Sequence, residues 1–300
     1  MPAVNGEGRP TVATTNSQPA LRGAVVSRAL IVAVVMAAFA VIAAAPAASA
    51  AERRASFSGR CPIDVIFPIW VDSYRARAFV PRSYGIASEA AGKTLVVVSL
   101  VKCEDTVVEG VQRSRALYSD LLFQVNPPPG SGTPLVNQFL DAYWAWVVTN
   151  ERMVHRRLRR IGMFHGFDRR MWVTATRTAG GSRVVAVDGA VRWRHAPFRL
   201  HGDVVDATPA GWPQYFNYFW QDVPGGVMRA QLKKVAGSGG VGEQFRAAQF
   251  TLTTPSRSRL ARLFGSQCTP TEGSRTCTVS GGGMVTALPH FDYSIEVLDR

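Results

Sequence analysis

Apolar residues recur in short runs along most of the chain, with turn residues between them. The runs are "TLVVVSLV" (94–101), "ALYSDLLFQV" (116–125), "AYWAWVVT" (142–149), "MWVTATR" (171–177), "RVVAVDG" (183–189), "AVRWRH" (190–195), "YFNYFW" (215–220), "GVMRAQL" (226–232), "FRAAQFTL" (245–252) and "GMVTALPHFDYSIEVL" (283–298). They are rich in Val, Thr and aromatic residues, which fit a pleated, half-buried surface. In "WVTATRTAGGSRVVAV", Gly180 and Gly181 supply the positive φ of a tight turn, so this stretch predicts a β-hairpin. Ten strands and few helices predict a mainly β fold, β-rich α+β, with an antiparallel sheet curled into a barrel or sandwich.

Two stretches carry a helical period instead. "SRSRLARLFG" predicts a short helix with Ser256 as N-cap and Gly265 as its stop, and with Leu260, Leu263 and Phe264 on one face. The stretch from Asn150 to Gly162 predicts the second helix. Asn150 can cap it, Glu151 suits the first turn, and Gly162 can take the left-handed position at its end. At roughly 100° per residue, Val154, Leu158 and Ile161 form the apolar face. Arg152, Arg156 and Arg159 then point to solvent, whereas Arg157 falls beside Met153 and Ile161 at the edge of the buried face. An amphipathic helix accounts for the first three arginines. Arg157, and Arg160 at the helix end, need another reason.

The first 50 residues differ from the rest. Residues 1–21 are polar and read as disordered. Arg22 and Arg28 then precede a long uncharged apolar stretch that ends in Ala48-Ser49-Ala50, the layout of a secretory signal cleaved after Ala50. The competing reading is an uncleaved anchor, since 29–51 is long enough to span a membrane. No twin arginine is present, so export as an unfolded chain is expected. Residues 51–300 read as one β-barrel-like domain, secreted or held in the extracytoplasmic envelope. Its composition, 47% hydrophobic and 18% charged over the whole chain, supports a sizeable core.

Four cysteines fit export. "CTPTEGSRTC" can turn back on itself and pair Cys268 with Cys277, which leaves Cys61 with Cys103. No C-x-x-C occurs, and His155, His165, His195, His201 and His290 show no metal-binding spacing, so no metal is expected. Three of the 34 basic residues and one of the 21 acidic ones lie in the first 50, which leaves the exported part at +11. Arginine supplies nearly all of it, the lysines being only Lys93, Lys102, Lys233 and Lys234. Such a charge favours anionic envelope polymers or lipid headgroups. No nucleic-acid motif accompanies it.

The order of features from about residue 75 to 265 resembles the acetoacetate decarboxylase-like superfamily. "FVPRSYG" before a hydrophobic strand is similar to its N-terminal portion. "LYSDLLFQVNPP" resembles its strand bearing a Tyr and an acid, here Tyr118 and Asp120. "RRLRRIGMFHGF" and the hairpin after it resemble the central segment, and "TLTTPSRSRLARLFG" the terminal strand and helix. The resemblance implies a cone-shaped β-barrel with flanking helices and an interior pocket. It also implies a departure. Where the family's decarboxylases carry two adjacent lysines, this chain has Arg159-Arg160-Ile161-Gly162. In the family's lysine route a cationic neighbour lowers the pKa of the reacting amine, which must be uncharged to attack a ketone. A guanidinium stays protonated and forms no imine.

The resemblance therefore implies a pocket for a small, partly apolar carboxylate or ketone, without Schiff-base decarboxylation. Arg157 or Arg160 would clamp an acidic group, Asp120 would act as acid or base, and Tyr118, His165 and Trp172 would line the ligand. Lys233-Lys234, the only adjacent lysines, are the alternative site of a Schiff base; in a strand at most one of them faces inward. No nucleophile elbow, phosphate loop or other cofactor motif appears, and no motif specifies a reaction. The alternative function is a non-catalytic envelope protein that binds anionic polysaccharide or lipid through a basic aromatic surface. Membrane attachment is expected only if the apolar leader stays uncleaved.

Overall fold

A computed structural model describes residues 53–87, 91–113, 115–131, 140–179, 183–205, 216–233 and 246–299. The polar N-terminus, the leader-like stretch, Gly180-Gly181 and Lys234 lie outside them. The chain divides into two units, Met1–Ala47 and Ala48–Arg300, and every described residue falls in the second.

In chain order the elements are β1 (Arg54–Asp72), α1 (Ser73–Ala76), β2 (Lys93–Val108), β3 (Val111–Gln112), β4 (Arg115–Val125) and β5 (Leu140–Thr149). Next come α2 (Arg152–Ile161), β6 (His165–Phe167), β7 (Trp172–Arg177), β8 (Val184–Val191), β9 (Phe198–Val204), β10 (Phe216–Val223) and β11 (Gly226–Lys233). The last are β12 (Arg246–Pro255), α3 (Arg259–Phe264), β13 (Thr269–Pro270) and β14 (Thr276–Asp299).

Seven strands close a barrel in the order β1-β2-β4-β5-β10-β11-β14, with β14 pairing back to β1. The neighbours are antiparallel except β5 and β10, which run parallel. Cross-strand partners followed from Arg54 pass through Glu296, Arg229, Trp220, Tyr143, Phe123 and Val96 to Ile69. The circuit returns to β1 many residues further along. Such shear tilts the strands steeply and widens a barrel of few strands.

The sheet continues past the barrel as β14-β12-β9-β8-β7. It folds over the outer face of β1, β2 and β4, so this part of the molecule is a sandwich. Phe67, Val98, Leu100, Leu121 and Phe123 from the barrel strands share one core with Val187, Leu200, Phe250 and Leu252. Both faces of β2 are therefore buried, which is why "TLVVVSLV" reads as an almost unbroken apolar run. A second core fills the barrel and extends to α2. β14 serves both bodies. Its C-terminal half pairs with β11 and the start of β1, and its N-terminal half pairs with β12. At Gly283 a side chain would run into the Ile66 carbonyl and the Phe250 ring, so only glycine lets the strands cross that closely.

The structure corrects the sequence reading at several elements. β1 was absent from the predicted strands. Pro62 and Pro68 argue against a strand, and register shifts on either side of Cys61 break its alternation. Pro68 is accommodated because β1 pairs with β14 no further than Ile66, so its outer edge is then free. The run 190–195 is not a separate strand: β8 ends at Val191 and a turn follows. β9, not predicted, takes its place. Ser258, not Ser256, caps α3, its side chain accepting from Ala261 N. Glu151, not Asn150, caps α2, with Oε2 accepting from Val154 N at 2.7 Å. Asn150 Oδ1 instead accepts from Leu117 N. Gly162 does end α2 in the left-handed region, at φ 87°. Both disulfides pair as expected, Cys61 with Cys103 and Cys268 with Cys277.

Candidate functional site inside the barrel

Alternate residues of each barrel strand point inward. On β2 these include Leu95, Val97 and Ser99, and on β4 Tyr118, Asp120 and Leu122. On β1 the register shifts around Cys61 change which side chains face in. Ala55, Phe57 and Cys61 belong to the barrel core, Ile63 and Val65 to the sandwich core, and Ile66 to the barrel again. Asp64, between Ile63 and Val65, is thereby turned into the barrel. It pairs across β2 with Val101, which pairs in turn with Tyr118, while Ser99 lies opposite Asp120. Two carboxylates two strands apart thus share one interior.

Asp120 is well held. Ser99 Oγ donates to its Oδ2 at 2.9 Å and Trp144 Nε1 donates to its Oδ1 at 2.9 Å. Burial nevertheless raises its pKa to about 6, against these two hydrogen bonds, which lower it. Asp64 is raised to about 7, first by burial and then by the negative charge of Asp120. Tyr118 is raised mainly by burial, with Glu151 and Asp120 adding to it, and Tyr293 mainly by burial, with Asp120, Asp64 and Tyr118 adding to it. The phenols are therefore neutral donors at any ordinary pH. The Tyr118 and Thr106 hydroxyls are buried beside each other without a well-formed hydrogen bond. Tyr118, Asp120 and Tyr293 lie deep in protein yet keep part of their surface open, as do Ile66, Val101 and Val297.

The two ends of the barrel differ. α2 closes one: Val154, Leu158 and Ile161 pack into the same core as Phe57, Trp144, Phe219 and Met228. At the other, β1 and β14 part and leave a cleft of about 330 Å3 lined by Pro68, Trp70, Leu95, Gln267, Gly281 and Gly282 among others. Phe67 and Ile69 also line it, from the sandwich side of β1, whereas Asp64 and Ile66, earlier on the strand, do not. Residues 132–139, 206–215 and 234–245 lie outside the described residues.

Of the residues singled out in the sequence, Tyr118 and Asp120 meet in the barrel. Arg157 lies in its floor, buried, with Nε 2.5 Å from Glu109 and Nη2 donating to the Arg54 carbonyl. Arg160 is exposed in the last turn of α2. His165 is half-buried beside β5, its Nδ1 2.6 Å from the Met163 carbonyl and its ring 4.6 Å from that of His155. Burial, above all, lowers the pKa of both rings. Trp172 lies on β7 in the second sheet, 38% exposed. The backbone of Lys233 ends β11 opposite Asp292. Asp64, Ser99, Trp144 and Tyr293 were not singled out. The signal for Asp64 was a lone carboxylate inside "CPIDVIFPIW", since an acid flanked by apolar residues in a strand is either a bulge or a buried group.

This architecture is that of acetoacetate decarboxylase-like proteins. Acetoacetate decarboxylase from Legionella pneumophila is similar at 8% identity over 81% of this chain and 86% of its own, with a TM-score of 0.51. The enduracididine biosynthesis enzyme MppR, complexed with pyruvate, is similar at 14% identity over 81% and 88%, with a TM-score of 0.50. An acetoacetate decarboxylase-like enzyme from Sphingomonas wittichii RW1 gives 13%, 83% and 92%, with a TM-score of 0.49. At such identities the first two likenesses show the fold alone. Neither a family model nor a curated protein matches the sequence.

Proposed function

We propose that the barrel binds a small, partly apolar ketone and moves a proton on it, with Asp120 and Asp64 as base and acid and without a Schiff base. The observation that carries this reading is the buried carboxylate pair, whose pKa values fall near 6 and 7. At neutral pH, Asp120 is mostly ionised and Asp64 is half protonated, so one accepts a proton while the other can donate one. The ionised Asp120 would take a proton from the carbon next to the carbonyl. The electrons of that C–H bond form the C=C bond, and the carbonyl oxygen receives a proton from Asp64. Return of the protons regenerates the ketone, with nothing oxidised or reduced.

A ketone suits this interior better than a carboxylate. Among the described residues, the inward faces of the barrel strands present two carboxylates, and the arginine of the floor is engaged by Glu109. An anion would be repelled there unless it brought a proton with it. Lys93 is exposed, and Lys102 lies on the opposite side of β2 from Val101. MppR, of the same fold, is complexed with pyruvate, which carries both a ketone and a carboxylate. Disulfides in both bodies of the molecule fit an extracytoplasmic protein, and no described helix is long and apolar enough to cross a membrane.

Deuterium exchange tests the reading. With acetone or butanone in deuterated buffer, the protein is expected to catalyse loss of the α-proton signal, and Asp120→Asn to slow it at least ~100-fold. The rate should rise as Asp120 ionises near pH 6 and fall as Asp64 ionises near pH 7, as apparent values of the pair. Exchange no faster than buffer, or a borohydride-trapped lysine adduct, would sink the proposal.

A further inference from the structure

The arginines of α2 belong to a larger surface. Arg152, Arg156, Arg159 and Arg160 are all exposed on the helix. Below it, His155 packs at a tilt against His165 and Phe167, which ties α2 to β6. Arg169, over the Phe167 ring, and Arg170 follow directly, both exposed. The turn after β8 is fastened to the same place. Trp193 packs over Gly166 and against Phe164, and Arg192 N donates to Asp168 Oδ2. That turn adds two more exposed arginines, Arg192 and Arg194.

None of these eight arginines pairs with a carboxylate among the described residues. The stretches 150–172 and 190–196 that carry them hold only two acids, Glu151 and Asp168. Both are turned to backbone: Glu151 caps α2, and Asp168 is buried and accepts from Arg170 N and Arg192 N. Two large apolar side chains stand in the field of positive charge, Phe164 at 45% exposure and Trp172 at 38%. Arginine without lysine is the composition that recognises phosphate oxygens bidentately. Aromatic rings beside it suit a boundary with apolar material below the phosphates.

We infer that this face docks on an anionic phospholipid bilayer. The exposed Phe164 and Trp172 within the arginine field select a membrane from the other anionic partners, since a soluble polymer offers them no apolar layer to enter. Arg157 donates to the carbonyl of Arg54, so α2 stands where the polypeptide enters the barrel. The apolar stretch 29–51, long enough to span a bilayer, ends three residues before Arg54. The barrel cavity has no part in this contact, and the docking surface stands or falls apart from the proton chemistry.

Vesicle co-sedimentation of the full chain tests the inference. Vesicles of phosphatidylcholine alone are compared with vesicles also containing phosphatidylglycerol. The apolar stretch contributes to both, so the difference isolates the charged face. Binding is expected to be about ten-fold tighter to the anionic vesicles at low salt, and the excess should vanish at high salt. The pair Arg156→Glu with Arg192→Glu should remove the excess. Arg257→Glu with Arg275→Glu changes the net charge equally, at exposed sites elsewhere, and should leave most of it. Equal binding to the two vesicle types overturns the inference, as does equal loss from the two variant pairs. Stronger binding to a soluble anionic polysaccharide carrying the same concentration of charge overturns it too, in favour of a polymer. Unchanged melting curves of both variant pairs keep these outcomes readable.

Discussion

The barrel interior and the outer surface of α2 hold charge in opposite ways, with one helix between them. Inside, two carboxylates sit among apolar and aromatic side chains, and burial raises their pKa values toward neutrality. Outside, eight arginines stand in water without acidic partners among the described residues. Water screens the arginines, so their repulsion costs little, while the interior offers no such screening. Charge held inside is therefore expensive, and it is retained where hydrogen bonds or protonation offset the cost. Charge held outside is cheap, and it acquires energy only when a partner covers it. Arg157 belongs to neither group: it lies on the buried side of the helix and is neutralised by Glu109.

The largest expected effect comes from releasing the strand that turns Asp64 inward. Cys61 and Cys103 are both buried, and they join β1 to β2 where the register shifts. Their bridge spans 42 residues, against 9 for Cys268–Cys277. In the loop-entropy picture, replacing the first pair by Ala costs about 4 kcal/mol and the second about 3 kcal/mol. Urea unfolding under oxidising conditions measures both. If the interior depends on the first bridge, its loss should also abolish deuterium exchange, whereas loss of the second should not. Equal effects of the two on exchange would break that link.

Next in size is the penalty for ionising Asp64. Its folded pKa of about 7 lies above its ordinary value of 3.8, so between these values the native state binds more protons than the unfolded one. Stability is then fully present below about pH 4 and falls as the pH rises toward 7. Asp64→Asn removes the titration. It is expected to raise stability at pH 8 by about 4 kcal/mol and to change little at pH 4. Denaturant melts at the two pH values read this directly, and a gain that does not depend on pH would show that Asp64 is not a buried acid.

How much of this could be read in the sequence depended on how regular each element is. β2 and β4 were legible because alternating side chains feed two cores, and β5 because its apolar run is nearly unbroken despite a register shift at Ala145. Tyr118 and Asp120 came with them, on a strand without an internal bulge. α2 was legible to its last turn, since its apolar positions recur at helical spacing and Gly162 ends it. β1 was not, because its prolines and register shifts remove the period on which such reading rests. Asp64 was hidden with it. The convergence of Asp64, Asp120, Tyr118 and Tyr293 is a product of barrel closure between β14 and β1, a pairing between the two ends of the domain that no local pattern contains.

The arginines give a third, smaller contrast within one helix. Arg157→Ala deletes a charge-assisted contact to Glu109 and a hydrogen bond to Arg54, and is expected to cost about 2 kcal/mol. Arg156→Ala and Arg159→Ala, both exposed, should each stay within about 0.5 kcal/mol of the parent. Thermal melts of the three variants separate the roles. A loss at Arg156 comparable to that at Arg157 would mean that the outer face contributes to folding, and its arginines would then need no external partner to explain them.

The smallest effect lies on the second sheet, where a titrating group is exposed to solvent instead of enclosed. His201 on β9 faces Asp188 across the β8 pairing, with Nδ1 2.8 Å from Asp188 Oδ1 and Nε2 3.3 Å from Asp203 Oδ1. The hydrogen bond to Asp188 is the main cause that raises its pKa above the ordinary 6.5. The folded state therefore holds the proton more tightly than the unfolded one. This stabilisation is fully present below about pH 6.5 and is lost as the pH rises through the folded value, the same direction as for Asp64 but from the opposite cause. His201→Gln should consequently destabilise slightly at pH 5.5 and not at pH 9, and added salt should shrink the difference because the site is open to water. For Asp64 the pH dependence should survive the same salt. Melting both variants at low and high ionic strength places the two kinds of site on one scale: a salt-sensitive Asp64 effect would mean that water reaches the barrel freely, and that the interior is no more than a recess of the surface.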